Sequence, residues 1–177
     1  MVSIVLTENS DMKSLKKKEL KELLIKNWMT HDRMWFYHCF KEWGIAKTNI
    51  INKAAVRSMA MIEIKRIKKA LEIEQIETFE RFKGFMDDVC NIVKADFMKF
   101  EYNFPSDNAC HIEMQKCFAY DGIKKIGAID KYQCGIFERF KGWFEGLGIE
   151  YTVNPQIGSC MMDSDGKCFR DFDLKFS

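Results

Sequence analysis

The chain has 177 residues, of which 47% are hydrophobic and 31% charged, a composition typical of one globular domain and not of a disordered segment. Its 28 basic and 26 acidic residues nearly balance, so the sequence predicts neither a nucleic-acid nor a membrane partner, both of which select concentrated positive charge. No stretch approaches the roughly 18 consecutive apolar residues that a transmembrane helix needs.

The first half of the chain has the pattern of antiparallel helices joined by short turns. Thr30 is a plausible N-cap for the second of these helices, and Gly44 is placed to end it. No glycine or proline interrupts the segment that follows. The predicted helices cover about 13–28, 30–43, 48–71 and 76–93, which together make a helical part over residues 13–93.

The second half, from about residue 96 to 177, mixes strands with a helix. Apolar and polar residues alternate over 97–105, which predicts a strand, and 109–114 fits either a second strand or the start of a helix. A helix is predicted over 134–147. The tail is predicted to form a hairpin around the Asp-Ser-Asp-Gly turn at 163–166. No linker separates the halves, so we expect one α+β domain over residues 1–177, with the helices packed on a mixed sheet-and-helix unit.

Seven cysteines are the most distinctive chemical feature of the sequence. The N-terminal residues lack the pattern of a secretory signal, so we expect a cytoplasmic protein in which disulfides are rare. Cys160 and Cys168 lie at equal distances on either side of Ser164 in the predicted turn, which would place two sulfurs on one face of a hairpin. With Cys110 and Cys134 they form a candidate zinc site. Burial as small apolar side chains is the alternative, and it is favoured for Cys39 and Cys90.

A second group of candidate residues lies on the predicted second helix. His31 and Asp32 stand at its start, and Trp35 and His38 follow on the same side. The two histidines are two turns apart, too far to chelate one ion by themselves, and a third group such as Glu63 could complete a pocket with one of them. We expect His31, Asp32 and Cys110 as catalytic candidates, and Trp35, His38 and His111 as candidates for lining a ligand pocket. The alternative is that Asp32 interacts with the helix N-terminus and that the histidines have no role in a site.

The aromatic residues at helical spacing, Phe79, Phe82, Phe85 and Phe137, Phe140, Phe144, are predicted to lie in the core. Even so, 15 Phe, 4 Trp and 11 Met are many for this length, and they leave an apolar ligand cavity as a further interpretation. The nucleotide-binding motifs GxGxxG and GxxxxGK[ST] and the hydrolase motifs GxSxG and HExxH are absent from the sequence.

The run HDRMWFYHCFKEWGIAKTNIINKAAVRSMAMIEIKRIKKALEI resembles the N-terminal part of an uncharacterised prokaryotic family related to the L-2-amino-thiazoline-4-carboxylic acid hydrolase-like proteins. The placement of the four cysteines before an aromatic final strand also looks similar. That tail is further similar to the 4-vinyl reductase domain, a small-molecule-binding module whose cysteines are suspected metal ligands. The resemblance implies the opening of a cyclic amidine by water to give an N-carbamoyl cysteine.

Three functional hypotheses follow from the sequence. The first is a hydrolase acting on a non-peptide C–N bond, with zinc-bound water or an activated thiol as the nucleophile. The second is a non-catalytic ligand-binding or sensing module with a structural zinc or buried free cysteines. The third is a structural protein that forms a homo-oligomer through an exposed apolar helix face. The first two imply a small-molecule substrate or ligand.

Overall fold

The computed structural model describes residues 14–176. The predicted helix start at Lys13 and most of the segment predicted to lack a secretory signal therefore lie outside the described residues. The described part is α+β, as predicted. In chain order its elements are α1 (Lys17–Ala70), α2 (Phe79–Val93), β1 (Lys99–Ser106), β2 (Ala109–Lys116), α3 (Phe118–Lys125), a 3₁₀ turn (Ile129–Lys131), α4 (Ile136–Leu147), β3 (Glu150–Asn154), α5 (Met161–Ser164) and β4 (Phe169–Lys175).

The long helix α1 replaces three of the predicted helices. Its helical geometry is broken at Gly44, where φ is 72° and ψ is 171°, a backbone conformation that glycine adopts without steric cost. The predicted interruption at Gly44 is thus confirmed. The predicted helix start at Thr30 is wrong, because the Thr30 hydroxyl donates a hydrogen bond back to the Lys26 carbonyl (2.8 Å) and the helix runs through this position.

The four strands form one antiparallel sheet in the order β1-β2-β4-β3. The strand predicted over 97–105 is confirmed as β1, and 109–114 belongs to a strand, β2. The tight turn predicted at residues 163–166 is wrong, because α5 makes a short helical turn there. Antiparallel pairing across this segment is present, since β3 pairs with β4 through the longer connection over 155–168, and β4 also pairs with β2.

The core lies between one face of the sheet and the helices. Most of the predicted core aromatics are buried, among them Phe82, Phe85 and Phe144, and so are Cys39 and Cys90. Helix α4 packs closely on the second half of α1. A Cβ atom added at Gly142 would lie 2.5 Å from the Arg57 carbonyl oxygen, which is closer than packed atoms approach. This glycine therefore allows the contact between the two helices. No helix in residues 14–176 has the length and apolar character to cross a membrane.

Candidate functional site

A cavity of about 740 Å³ lies between the helices and one end of the sheet. Its walls come from both halves of α1, from the paired ends of β1 and β2, from α3 and from the first turns of α4. Residues far apart in the sequence therefore meet around one space. Its volume is within the range of about 300–1,000 Å³ that is typical of small-molecule pockets.

The interior of the cavity is lined mainly by aromatic, methionine and branched aliphatic side chains. These include Trp28, Met29, Phe36, Val56, Met59, Val93, Met98, Phe100, Met114, Phe118, Ile123, Ile126, Phe140 and Trp143. The free energy of the system falls when an apolar group replaces the water that contacts apolar walls. Methionine side chains add adaptability, because the unbranched thioether fits irregular shapes. The lining thus suits an apolar ligand.

A partly buried ion pair stabilises the cavity wall. The guanidinium group of Arg139 donates two hydrogen bonds to the Glu63 carboxylate, from Nε at 2.9 Å and from Nη2 at 2.6 Å. The indole N–H of Trp143 donates to the same carboxylate at 2.9 Å. The guanidinium also lies over the rings of Trp28 and Trp143, at 5.1 and 5.3 Å from their centroids. The charge of Arg139 is therefore neutralised by Glu63, and the wall is fixed across both halves of α1 and α4.

The rim of the cavity is mainly basic. Four exposed cations line it: Lys26, Arg33, Lys99 and Lys116. Asp32 is the acidic residue among the described lining residues, and its carboxylate lies 3.8 Å from the His31 ring. Partial burial raises the pKa of Asp32, while His31 opposes that rise. The rim therefore carries an excess of positive charge.

Cys117 lines the cavity at the start of α3. Its Sγ accepts a hydrogen bond from the backbone N–H of Tyr120 at 3.4 Å. Burial raises the pKa of Cys117 to about 11, so at neutral pH the thiol is protonated and behaves as an apolar side chain.

The structure does not assemble the predicted zinc site. In residues 14–176 no three His, Cys, Asp or Glu side chains are grouped so that they could hold a metal ion. Cys110 is buried on β2, near Cys90. Cys134, Cys160 and Cys168 lie in another part of the fold, near one another and near Cys117. The geometric argument for Cys160 and Cys168 assumed a tight turn that α5 replaces, so in residues 14–176 that argument no longer supports a zinc site.

The candidates on α1 are divided between the cavity and the solvent. Asp32 and His38 line the cavity. His31 has an exposed side chain, and Trp35 is 60% exposed, so neither belongs to the cavity lining. The predicted catalytic residues are therefore not brought together, because Cys110 is buried in the sheet and is not among the described lining residues.

His111 lies on the face of the sheet opposite to the core. It neighbours Cys110 on β2, and side chains of successive strand residues point to opposite faces. Its Nδ1 lies 2.6 Å from Oδ1 of Asp171, and its ring stacks on Phe169 with a centroid distance of 5.5 Å. The interactions of His111 are therefore on the outer face, away from the cavity.

Several buried thiols predict a loss of stability at high pH. Burial raises the pKa of Cys90 and Cys117 to about 11, and of Cys110 and Cys168 to about 12, from an ordinary value of 9.0. Below pH 9 both the folded and the unfolded chain hold these protons. Above it the unfolded chain loses them first, so we expect the free energy of unfolding to fall between about pH 9 and pH 12. Urea titrations at pH 7 to 11 measure this.

The variant Cys110→Ala is the control for that pH dependence. It is expected to be less stable at pH 7, because it leaves a small cavity. Between pH 9.5 and 11, however, its free energy of unfolding should fall less steeply than that of the wild type, by about 1.4 kcal/mol per pH unit, because one titrating thiol has been removed. Equal slopes in the two proteins would contradict the assignment of a raised pKa to Cys110.

Most of the lining residues were not identified from the sequence as parts of a site. Met29, Met98, Phe118 and Ile123 fall on helix or strand faces that look like ordinary core positions. The available signal was the high content of Phe, Trp and Met, which favours an apolar cavity without saying where it lies.

The comparisons with known proteins give a fold neighbour and a family. The chain is similar to the crystal structure of a trafficking protein particle complex subunit 3 from Naegleria fowleri covalently bound to palmitic acid, with a TM-score of 0.51 and 16% sequence identity over 90% of this chain and 97% of that chain. At this identity the likeness concerns the fold alone. No curated protein matches the chain. A family model matches residues 13–136, which is well over half of the sequence. The chain therefore belongs to the family of unknown function DUF6125.

Proposed function

We propose that this protein binds an elongated apolar small molecule, such as a single acyl chain, in the cavity between α1, α3 and α4. The observation that carries the proposal is the cavity itself, with a volume of about 740 Å³ and walls of aromatic, methionine and aliphatic side chains. Such a space filled with water would leave those side chains hydrated, and an apolar chain would replace that water with favourable contacts.

The fold neighbour supports the same ligand class. Its title describes a trafficking protein particle complex subunit 3 covalently bound to palmitic acid, a molecule with one long apolar chain. That ligand belongs to the neighbour. It favours the proposal because a similar arrangement of helices and strands is found together with such a chain. We propose reversible binding for the present protein, because burial raises the pKa of the Cys117 thiol that lines the cavity and disfavours its reactive thiolate.

A series of uncharged fatty alcohols tests the proposal. Trp28 and Trp143 line the cavity, so their fluorescence should change when a chain enters it. We expect affinity to increase by about fourfold for each added methylene, since burial of one CH₂ contributes about 0.8 kcal/mol. The increase should stop at the chain length that fills the cavity. Absence of binding across the series from octanol to octadecanol would overturn the proposal.

The variant Gly122→Phe locates the binding site. Gly122 lines the cavity, and a Cβ added there meets no atom within 4 Å, so a larger side chain can enter the open space. We expect this variant to weaken binding of hexadecanol by about tenfold or more, because the ring occupies the volume that the ligand needs. Gly84→Phe is the matched control: Gly84 also lies on a helix with no atom within 4 Å of an added Cβ, and it is not among the lining residues. Equal effects of the two variants would argue against this cavity as the site.

Hydrolysis of a cyclic amidine stays a prediction from the resemblance. The three residues proposed for it, His31, Asp32 and Cys110, lie in different environments, respectively exposed, at the cavity rim and buried in the core. Binding without catalysis is therefore the function that we advance.

A further inference from the structure

We propose that the natural ligand carries an anionic head group, and that the cations at the cavity rim hold this group while the apolar chain lies inside. This inference rests on the proposed function and names the ligand class more closely. The ligand would be an anionic single-chain amphiphile, with a carboxylate or a phosphate at one end.

The first support is a pair of lysines at the paired ends of two neighbouring strands. Lys99 and Lys116 are register partners at the ends of β1 and β2, both are exposed, and both line the cavity. The register shifts between Lys99 and Phe100, so the lysines lie at an irregularity where the strict alternation of faces is broken, and both contribute to the cavity lining. An anion bound at this part of the rim would reduce the repulsion between the two positive charges.

The second support comes from α1 on another side of the same cavity. Lys26 and Arg33 are seven residues apart, or about two helical turns, so they lie on one side of the helix. Both line the cavity and both are exposed. Cations thus border the opening on the helix as well as on the sheet, which favours a head group at the rim.

The third support is that these cations lack internal counterions. In the described part of the chain none of the four forms a salt bridge. Asp96 is the acidic neighbour of Lys99, but its carboxylate is bound to Lys18 at 2.9 Å, and Lys18 is the main cause of its lowered pKa, with Lys99 contributing less. Arg139, by contrast, is already neutralised by Glu63. The uncompensated positive charge is therefore at the rim and not in the interior.

The apolar interior suits the chain of an amphiphile, and the basic rim suits its anionic head group. Charged head groups are costly to desolvate, so a carboxylate or phosphate should stay at the exposed rim. Lysine ammonium groups bind such anions as compact point charges, and an arginine adds a planar pair of donors. A free fatty acid and a single-chain phospholipid share this chemistry.

The test compares three ligands with the same sixteen-carbon chain on the full-length protein: palmitate, hexadecanol and palmitoyl lysophosphatidate, each below its micelle-forming concentration. We expect at least one of the two anions to bind about tenfold or more tightly than hexadecanol, with an advantage that shrinks as the salt concentration rises. A preference for palmitate would identify a fatty acid, and a preference for lysophosphatidate would identify a phospholipid.

The preference for the anion can be expressed as the Kd of hexadecanol divided by the Kd of the anion. The double variant Lys99→Gln/Lys116→Gln should reduce this ratio by at least threefold. The control Lys65→Gln/Lys69→Gln removes the same charge from exposed positions of α1 outside the cavity lining, and should leave the ratio unchanged. Thermal unfolding verifies that both variants fold. If hexadecanol and both anions bind equally well to the wild type, or if the two double variants behave alike, the inference is overturned and the proposed function stands. If no ligand binds, the proposed function itself fails.

Discussion

The substitution Phe172→Ala is expected to lower the free energy of unfolding by about 3–5 kcal/mol, the usual cost of removing a large aromatic side chain from a core. Phe172 is fully buried on β4, between Cys110 of β2 and Val153 of β3. Its ring lies 5.1 Å from that of Phe144 on α4, in an edge-to-face arrangement. The ring thus joins the middle of the sheet to the helices, and urea unfolding of the variant measures its contribution.

Phe169→Ala is the matched control, because Phe169 lies on the same strand at odd spacing and so on the opposite face. It is only partly buried and stacks on His111. We expect its loss to cost about 1 kcal/mol, as for a partly exposed apolar side chain. Similar costs for Phe169→Ala and Phe172→Ala would mean that the two faces of the sheet are wrongly assigned.

The alternation in β4 shows which part of the fold could be predicted from sequence. In the sequence after Gly166 apolar and acidic residues alternate, which predicts Phe172 and Leu174 on one face and Asp171 and Asp173 on the other, and the structure buries the first pair on the core side. A period of two residues is a local property of the strand and needs no knowledge of its partner. The strand β1 and the core positions of α4 are likewise predicted from local periodicity, of two residues in the strand and of about 3.6 residues in the helix.

The turn before β4 and the pairing of β4 with β2 could not be predicted in this way. Asp163 to Gly166 has a composition that suits a hairpin turn, but the same residues also suit a short helical turn that ends at a glycine, and Gly166 has a positive φ of 67°. In the sheet β4 lies between β3, the strand before it in the chain, and β2, which is distant in the sequence. Because the tight turn is absent, Cys160 and Cys168 lie outside the strands, and the geometric argument for their pairing is lost.

The cavity could not be located from sequence for a related reason. Met29 on α1, Met98 before β1 and Ile123 on α3 each lie in a segment with an ordinary amphipathic pattern. A pattern indicates which side of an element is apolar, but not whether the facing element fills the space against it. Only the relative placement of both halves of α1, α3 and α4 leaves room between them.

The wall of this cavity is expected to depend on the ion pair between Glu63 and Arg139. The two side chains are only 17% and 16% exposed, so Glu63→Gln would leave the partly buried Arg139 charge without the carboxylate that accepts its two hydrogen bonds. We expect the free energy of unfolding to fall by about 2 kcal/mol, less than the roughly 3–5 kcal/mol for a fully buried pair, because both side chains are partly exposed. The glutamine retains an oxygen for the indole N–H of Trp143, so the loss reports mainly on the charge.

The double variant Glu63→Gln/Arg139→Met separates the charge from the packing. Methionine keeps an apolar stem between Trp28 and Trp143 but carries no charge, so the double variant should be more stable than Glu63→Gln alone. The single variant Arg139→Met, which leaves the Glu63 carboxylate unpaired, should be the less stable of the two Met-containing proteins. Additive losses in this double-mutant cycle would show that the pair contributes no coupling energy, and that the aromatic side chains hold the wall without it.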